Sequence, residues 1–257
     1  FVTSIQFRKH AEKMYHSCPA QIGPSILDCD MANLAYEAKR ALNAGAKYLH
    51  LDMMDGHFVA NLSFGPYLVQ CLRAHVPDVH FACHLMTSEP EKWIDGLSKV
   101  GGDVTFTFHY EATEPRGKTQ ELINSIRAHG MKVGMTVSPD TPVDAILAYA
   151  DQLDLALIMT VYPGKGGQSF ISEMMSKIKA IREKYPLMNI EVDGGVKPET
   201  IVAAAEAGAN MIVSGSGVYK AKDMAYNISF MQRAVEKYGN GMEDHQLSPM
   251  RYDADEE

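Results

Sequence analysis

Short apolar runs alternate with amphipathic segments along most of the chain. After residue 20, glycine, aspartate, proline or serine follows each run, and a segment with the helical period comes next. Eight β-rich runs begin near Ile22, Tyr48, Val79, Asp103, Lys132, Asp154, Asn189 and Asn210. Successive runs are 21 to 35 residues apart. The pattern predicts eight βα units, one after another.

The segments between the runs place their apolar residues on one helical face. One such face is shared by Ile171, Met174, Ile178 and Ile181. Glycine-containing helix stops follow several of these segments, as at 207–209. These features predict helices that pack one side against a sheet.

Eight units without a break in composition predict an α/β protein, a (β/α)8 TIM barrel in a single domain over residues 21–239. A doubly wound open sheet also alternates strands and helices, but the count of eight favours the barrel. We expect residues 1–20 to be an N-terminal extension or an expression remnant. Met14 offers an alternative start, which would make residues 1–13 a remnant or the end of a longer leader. Residues 240–257 are predicted to form an acidic C-terminal tail.

Composition and charge exclude several classes of protein. The 257 residues are 46% hydrophobic and 22% charged, which is ordinary for a globular domain. No window approaches the roughly 18 uncharged apolar residues of a membrane span, so no membrane partner is expected. The net charge is −8, and residues 243–257 hold six acidic residues against Arg251. An acidic body without a basic stripe argues against nucleic acid as a partner.

The cysteines indicate a reducing compartment. Cys18, Cys29, Cys71 and Cys83 form no C-x-x-C pair and no zinc-finger spacing. We therefore expect free thiols and a cytoplasmic location. Location in an organelle is the alternative, because the native N-terminus is uncertain.

Polar residues collect where the predicted strands end, which is where barrel enzymes carry their chemistry. His50 and Asp52 are two residues apart and face one side of their strand, while His84 and Asp193 lie at two other strand ends. Imidazole nitrogens and carboxylate oxygens suit a borderline divalent metal, so these four predict a metal site. The remaining candidates are weaker, because they lack a same-face acidic neighbour two residues away: His57, His80 and His109.

Glycines mark the exits of the last three runs. Loops after strands 7 and 8 commonly bind phosphate in barrels, because backbone N–H groups can approach the anion closely. The candidate phosphate loops contain Gly164, Gly166, Gly167, Gly194, Gly195, Gly215 and Ser216. Lys165 lies inside the first loop, where it adds a charge over the anion or is an ordinary solvated lysine.

Three methionines lie at strand ends beside the predicted metal ligands. Met54, Met86 and Met159 end runs two, three and six. Methionine is commonly a core filler, and this chain has 16 of them. Their position at the rim makes these three candidate walls of a substrate pocket.

The candidate site residues lie in sequence motifs that resemble those of the ribulose-phosphate 3-epimerase family. The motifs occur in the family's order over about residues 21–235. They are Gly23-Pro24-Ser25-Ile26-Leu27, His50-Leu51-Asp52 with Met54-Asp55-Gly56-His57-Phe58-Val59, His84-Leu85-Met86, Phe108-His109-Tyr110-Glu111-Ala112, Met159-Thr160-Val161 with Gly166-Gly167-Gln168, Val192-Asp193-Gly194-Gly195-Val196 and Val213-Ser214-Gly215-Ser216.

The resemblance implies an enzyme that interconverts D-ribulose 5-phosphate and D-xylulose 5-phosphate at C3, in the pentose phosphate pathway, through an enediolate. It implies Asp52 and Asp193 as the acid/base pair and one divalent metal per chain on His50, Asp52, His84 and Asp193. Ser25 and His84 would contact the sugar. The rest of the substrate site would comprise Gly164, Lys165, Gly166, Gly167, Asp193, Gly194, Gly195, Gly215 and Ser216.

Some alternatives remain open at the level of sequence. Zn and Fe(II) are the first candidates for the metal, with Mn and Co after them. We expect a homo-oligomer, a dimer or a hexamer. A 3-epimerase of a hexulose 6-phosphate such as allulose 6-phosphate would use the same chemistry. A phosphate-barrel lyase would carry Asp-x-Lys where run two has Asp52-Met53-Met54, and a non-catalytic sugar-phosphate binder would lack a ligand or an acid.

Overall fold

The computed structural model describes residues 18–239. The predicted N-terminal extension lies outside this range except for residues 18–20. The predicted acidic tail, 240–257, lies outside it entirely.

Eight parallel strands form the centre of the described part of the chain. Each begins within one residue of a predicted apolar run. They are β1 (Gln21–Gly23), β2 (Tyr48–Met54), β3 (His80–Met86), β4 (Val104–His109), β5 (Lys132–Val137), β6 (Leu155–Met159), β7 (Asn189–Asp193) and β8 (Met211–Val213). The hydrophobic pattern was therefore sufficient to place every strand.

The strands form a ring. The sheet order is β1-β8-β7-β6-β5-β4-β3-β2, with every pairing parallel. The two end strands meet because Lys47 N donates to Ile22 O over 3.0 Å and His50 N donates to Pro24 O over 3.1 Å. Ser25 and His50 also form a parallel bridge there. This closure confirms the single-domain (β/α)8 barrel and excludes the open-sheet alternative.

Helices connect the strands and surround the ring. Those described are α1 (Leu34–Asn43), α2 (Pro66–His75), α3 (Ile94–Ser98), α4 (Tyr110–Thr113), α5 (Thr119–Ala128), α6 (Asp144–Leu147), α7 (Met175–Lys184), α8 (Ile201–Ala207), α9 (Ser216–Tyr219) and α10 (Met224–Gly239). Short 3-10 segments are Ile26–Asp28, Met31–Asn33, Pro90–Trp93, Glu114–Arg116, Ala150–Gln152 and Ser172–Met174. No helix in residues 18–239 is long and apolar enough to cross a membrane.

The two sides of the strands have different chemistry. On β2, Leu49, Leu51 and Met53 belong to the large apolar core that includes the helices. The alternate residues His50 and Asp52 are also buried, on the other side. The apolar core thus stabilises the barrel from outside the ring, and polar side chains occupy its interior near the carboxyl ends of the strands.

Candidate active site and metal centre

A pocket opens at the carboxyl ends of the strands. It brings together the substrate-site residues and methionines predicted from sequence, while His50 and His84 lie buried beneath it. The predicted residues in its lining are Ser25, Asp52, Met54, Met86, Met159, Gly164, Lys165, Gly166, Gly167, Asp193, Gly194, Gly195, Gly215 and Ser216.

The floor of the pocket holds four side chains, His50, Asp52, His84 and Asp193, which we call the His–Asp cluster. The strand register places Asp52 directly beside His84. Nδ1 of His84 is 3.0 Å from Asp52 Oδ1 and 3.7 Å from Asp193 Oδ2. Nε2 of His50 is 3.3 Å from Asp52 Oδ1 and 3.6 Å from Asp193 Oδ2. One ligand atom from each residue lies within 4.8 Å of all the others.

Two further side chains hold the cluster in place. Ser25 Oγ donates to Asp52 Oδ2 over 2.6 Å, which orients that carboxylate. Glu191 Oε1 is 3.1 Å from His50 Nδ1, so the imidazole donates there. Glu191 was not predicted from the sequence, although it lies two residues before Asp193 on β7. That same-face spacing was the available signal.

The donor set fits a divalent metal. Nε2 of His50 is buried and makes no hydrogen bond to any residue in the described range, although two carboxylates lie close to it. In a neutral ring whose Nδ1 donates to Glu191, Nε2 directs its lone pair toward the carboxylates. Nitrogen and oxygen lone pairs that converge in this way suit a cation between them, a metal ion when one is bound and protons when it is not. The chain therefore has a candidate site for a divalent metal.

The electrostatic environment shifts the pKa values of Asp52 and Asp193 in opposite directions. Burial raises the pKa of Asp52, but His50 and His84 outweigh burial and hold the pKa well below its usual range. Burial and the Asp52 charge raise the pKa of Asp193 to about 7. Burial lowers the pKa of His50, yet Asp52 and Glu191 outweigh it and raise that pKa. Near neutral pH the site thus holds an ionised Asp52 beside an Asp193 that gains and loses its proton in that range.

No same-face acidic neighbour two residues from His109 was predicted from the sequence, but the structure places one there. Nδ1 of His109 lies 3.3 Å from Oε2 of Glu111, two residues further on. Its Nε2 lies 2.9 Å from His84 Nε2, so His109 is beside the cluster and not in it. Burial lowers the pKa of His109 to about 4. Burial raises the pKa of Glu111, but hydrogen bonds from His109 and Thr141 outweigh it and hold the pKa at about 2.

Two glycines of the loop after β7 leave no room for a side chain. Gly194 has φ of 120°, and a Cβ there would overlap the side chain of Val161. Gly195 has φ of 65°, and its Cβ would stand 2.8 Å from the backbone nitrogen of Phe170. Both conformations favour glycine. The β7 loop therefore lies directly against the loop that follows β6.

The loop after β6 is held from within and from the loop after β2. Gln168 Nε2 donates to the carbonyl oxygens of Tyr162 and Lys165, over 2.6 and 2.8 Å. Asn61 Nδ2 donates to Gly164 O over 2.9 Å. The Lys165 side chain is exposed at the pocket mouth. These bonds shape the loop while leaving the lysine ammonium free to turn toward a ligand.

Asp28 is a pocket residue that sequence reasoning missed. Its carboxylate lies between the β6 and β8 loops, where a Cβ on Gly215 would overlap it and a Cβ on Gly166 would be 3.0 Å away. No local motif marked it, because Asp28 reaches the pocket only through the 3-10 turn Ile26–Asp28. It places a negative charge at the mouth.

The methionines form apolar walls above the cluster. Met54 and Met86 are buried with Val59 and pack against Phe58. Met159 is buried with Val161 at the end of β6. These contacts give the pocket an apolar lower part next to its charged floor.

Fold and site together describe a (β/α)8 barrel with two carboxyl groups of opposed pKa shift, Asp52 and Asp193, at the carboxyl ends of its strands. The family model of the ribulose-phosphate 3 epimerase family matches residues 21–219. The chain belongs to this family, and it is an epimerase, an isomerase acting on carbohydrates.

Related proteins agree with this assignment. The chain is 48% identical over 224 residues to ribulose-phosphate 3-epimerase of Eremothecium gossypii, covering 83% of this chain and 92% of that protein. It is 46% identical to the protein of Oryza sativa subsp. japonica named ribulose-phosphate 3-epimerase, cytoplasmic isoform. That match covers 87% of this chain and 97% of the rice protein. Among solved structures, KGPDC from Streptococcus mutans has a TM-score of 0.63 at 16% identity, covering 86% of this chain and 99% of that chain, which shows the shared fold.

Proposed function

We propose that this chain interconverts D-ribulose 5-phosphate and D-xylulose 5-phosphate by epimerisation at C3. The observation that carries the proposal is the pair of carboxyl groups, Asp52 and Asp193, brought to one point with opposite pKa shifts. Epimerisation next to a ketone needs one base and one acid at the same carbon. Groups whose environments push their pKa values apart are suited to those two roles.

The His–Asp cluster would hold a divalent metal, with Zn or Fe(II) as first candidates and Mn or Co after them. When bound, the ion would supply a Lewis acid that favours the negatively charged enediolate. Glu191 orients His50 for this task, and Ser25 orients Asp52.

The chain's own residues would move the protons. Ionised Asp52 accepts or returns the C3 proton on one face of the sugar, and Asp193 does so on the other. The two side chains come from β2 and β7, which are not neighbours in the ring, so they can flank a flat intermediate. Met54, Met86 and Met159 exclude water from it.

The glycine loops after β6, β7 and β8 would bind the phosphate through backbone N–H groups. All three loops line the pocket, and those after β6 and β7 pack against each other at Gly195. A phosphate held there leaves the reacting end of a short sugar over the cluster. Pocket depth would then set the preference between a pentulose and a hexulose phosphate.

Turnover in D₂O tests the two-carboxyl route. Product formed from ribulose 5-phosphate should carry deuterium at C3, because the incoming proton comes from a different carboxyl than the one that took the first. Mass spectrometry of isolated xylulose 5-phosphate measures the incorporation. Protium retained at C3 after many turnovers would contradict the proposal. Comparing kcat/KM for ribulose 5-phosphate and allulose 6-phosphate decides the substrate.

Lys165→Ala should raise KM by about fivefold, because one exposed charge near a dianion contributes about 1 kcal/mol. Lys165→Arg keeps the charge and should retain the wild-type KM. Steady-state kinetics at low and high salt measure the effect, which should shrink as salt rises. Equal KM and kcat in all three proteins would show that Lys165 is a solvated loop residue.

We propose a cytoplasmic homo-oligomer. The four cysteines form no disulfide within residues 18–239, as expected in a reducing compartment. The rice relative is named a cytoplasmic isoform. Light scattering of the purified protein distinguishes a dimer from a hexamer.

A further inference from the structure

Two buried imidazoles and a half-buried carboxylate lead away from the pocket, from His84 through His109 to Glu111. Nε2 of His84 lies 2.9 Å from Nε2 of His109, and Nδ1 of His109 lies 3.3 Å from Oε2 of Glu111. Both imidazoles are fully buried. His109 ends β4, and Glu111 lies in α4, so the row crosses from the barrel interior to its rim.

Oε1 of Glu111, the carboxylate oxygen on the side away from His109, accepts two hydrogen bonds. The backbone N–H of Ser138 donates to Oε1 over 2.7 Å, and the hydroxyl of Thr141 donates to the same oxygen. Lys177 Nζ in turn donates to the carbonyl oxygens of Ser138, Pro139 and Thr141, over 3.2, 2.7 and 2.6 Å. The loop after β5 therefore fixes the carboxylate with Oε2 toward His109.

When both imidazoles are neutral, as they would be with a metal on Nδ1 of His84, the row admits one order of protons. A carboxylate only accepts, so His109 carries its proton on Nδ1 and presents a lone pair at Nε2. His84 must then donate from Nε2, which leaves Nδ1 as a lone pair. That Nδ1 is the atom 3.0 Å from Asp52 and 3.7 Å from Asp193, inside the cluster.

We propose that His109 and Glu111 are positioning residues that keep the His84 proton on Nε2 and so present Nδ1 to a metal. The inference rests on the metal site of the proposed function. His50 receives the same support from Glu191 in a single step. The two imidazoles of the cluster are thus each oriented by a carboxylate, one directly and one through a second imidazole.

Glu111→Gln tests the order of protons without removing the side chain. The amide oxygen would stay with the Ser138 and Thr141 donors, so the amide N–H₂ would face His109 and donate to Nδ1. His109 would then carry its proton on Nε2, facing His84. We expect the affinity for Zn²⁺ to fall about 10- to 100-fold, the usual effect of losing such a partner. Competition with a chromophoric chelator, on metal-free protein shown to be folded by circular dichroism, measures it.

Two variants separate positioning from a structural role. Thr141→Val removes a donor to Glu111 but keeps the carboxylate, so its Zn²⁺ affinity should stay close to that of the wild type. His109→Gln places an amide near the former Nε2, where its oxygen accepts from His84 whatever residue 111 is. In that background Glu111→Gln should have little further effect on Zn²⁺ affinity.

The outcomes are distinguishable. Wild-type protein that fails to bind Zn²⁺, Fe²⁺, Mn²⁺ or Co²⁺ in a roughly one-to-one ratio would overturn the metal site and this inference together. Wild-type binding with equal affinity in Glu111→Gln would overturn the positioning role alone. A full Glu111→Gln effect in the His109→Gln background would show that Glu111 does not act through His109.

Discussion

Replacing Asp193 by asparagine should lower kcat by at least about 100-fold, the usual contribution of a general acid–base group. Asparagine keeps the size of the side chain and an oxygen, but it cannot exchange a proton with C3. The pKa of Asp193, raised to about 7 by burial and Asp52, suits it to carry the proton that the neighbouring carboxyl lacks. Asp52→Asn should cost as much, because each turnover uses both groups.

Steady-state kinetics and metal content must be measured on the same samples, because both carboxyls are also proposed ligands. Asp28→Asn is the matched control, since it removes a carboxylate from the same pocket outside the His–Asp cluster. It should retain most of the wild-type kcat. A comparable loss in Asp28→Asn would mean that pocket charge, and not proton transfer, explains the effect. Metal-loaded Asp193→Asn with wild-type kcat would rule out its acid/base role.

Local patterns along the sequence were enough to predict the fold and the polar residues at the carboxyl ends of the strands. Parallel strands buried on both sides leave eight apolar runs, and their starts matched the structure to within one residue. The two-residue period of β2 put His50 and Asp52 on one face. A barrel gathers all its strand ends at one rim, so His84 and Asp193 followed from topology alone.

The surroundings of the cluster depended on contacts that no local pattern contains. Glu191 meets His50 across 141 positions of sequence, and this contact exists because the ring closes. Glu111 reaches His109 only because the chain turns into α4 directly after β4. Asp28 enters the pocket through a short 3-10 turn, whose direction depends on packing against loops from the other end of the chain.

Removing the metal should lower kcat by roughly 1000-fold or more, because a Lewis acid at the enediolate contributes several kcal/mol. Dialysis against a chelator, followed by assay with ribulose 5-phosphate, measures the loss. Adding back Zn²⁺ or Fe²⁺ should restore activity and identify the ion that gives the higher rate. Metal-free protein with full activity would contradict the proposed site.

The metal-free barrel should nevertheless remain folded. Its apolar core lies between the strands and the helices, and the His–Asp cluster contributes none of that packing. Without the ion, the raised pKa values of His50 and Asp193 let the site take up protons, which offsets the repulsion between the carboxyls. Circular dichroism should therefore show native helix content after chelation. The melting temperature should rise with added metal, since binding to the native state stabilises it by mass action. A metal-free chain that had lost its helix content would instead make the ion a structural element of the fold.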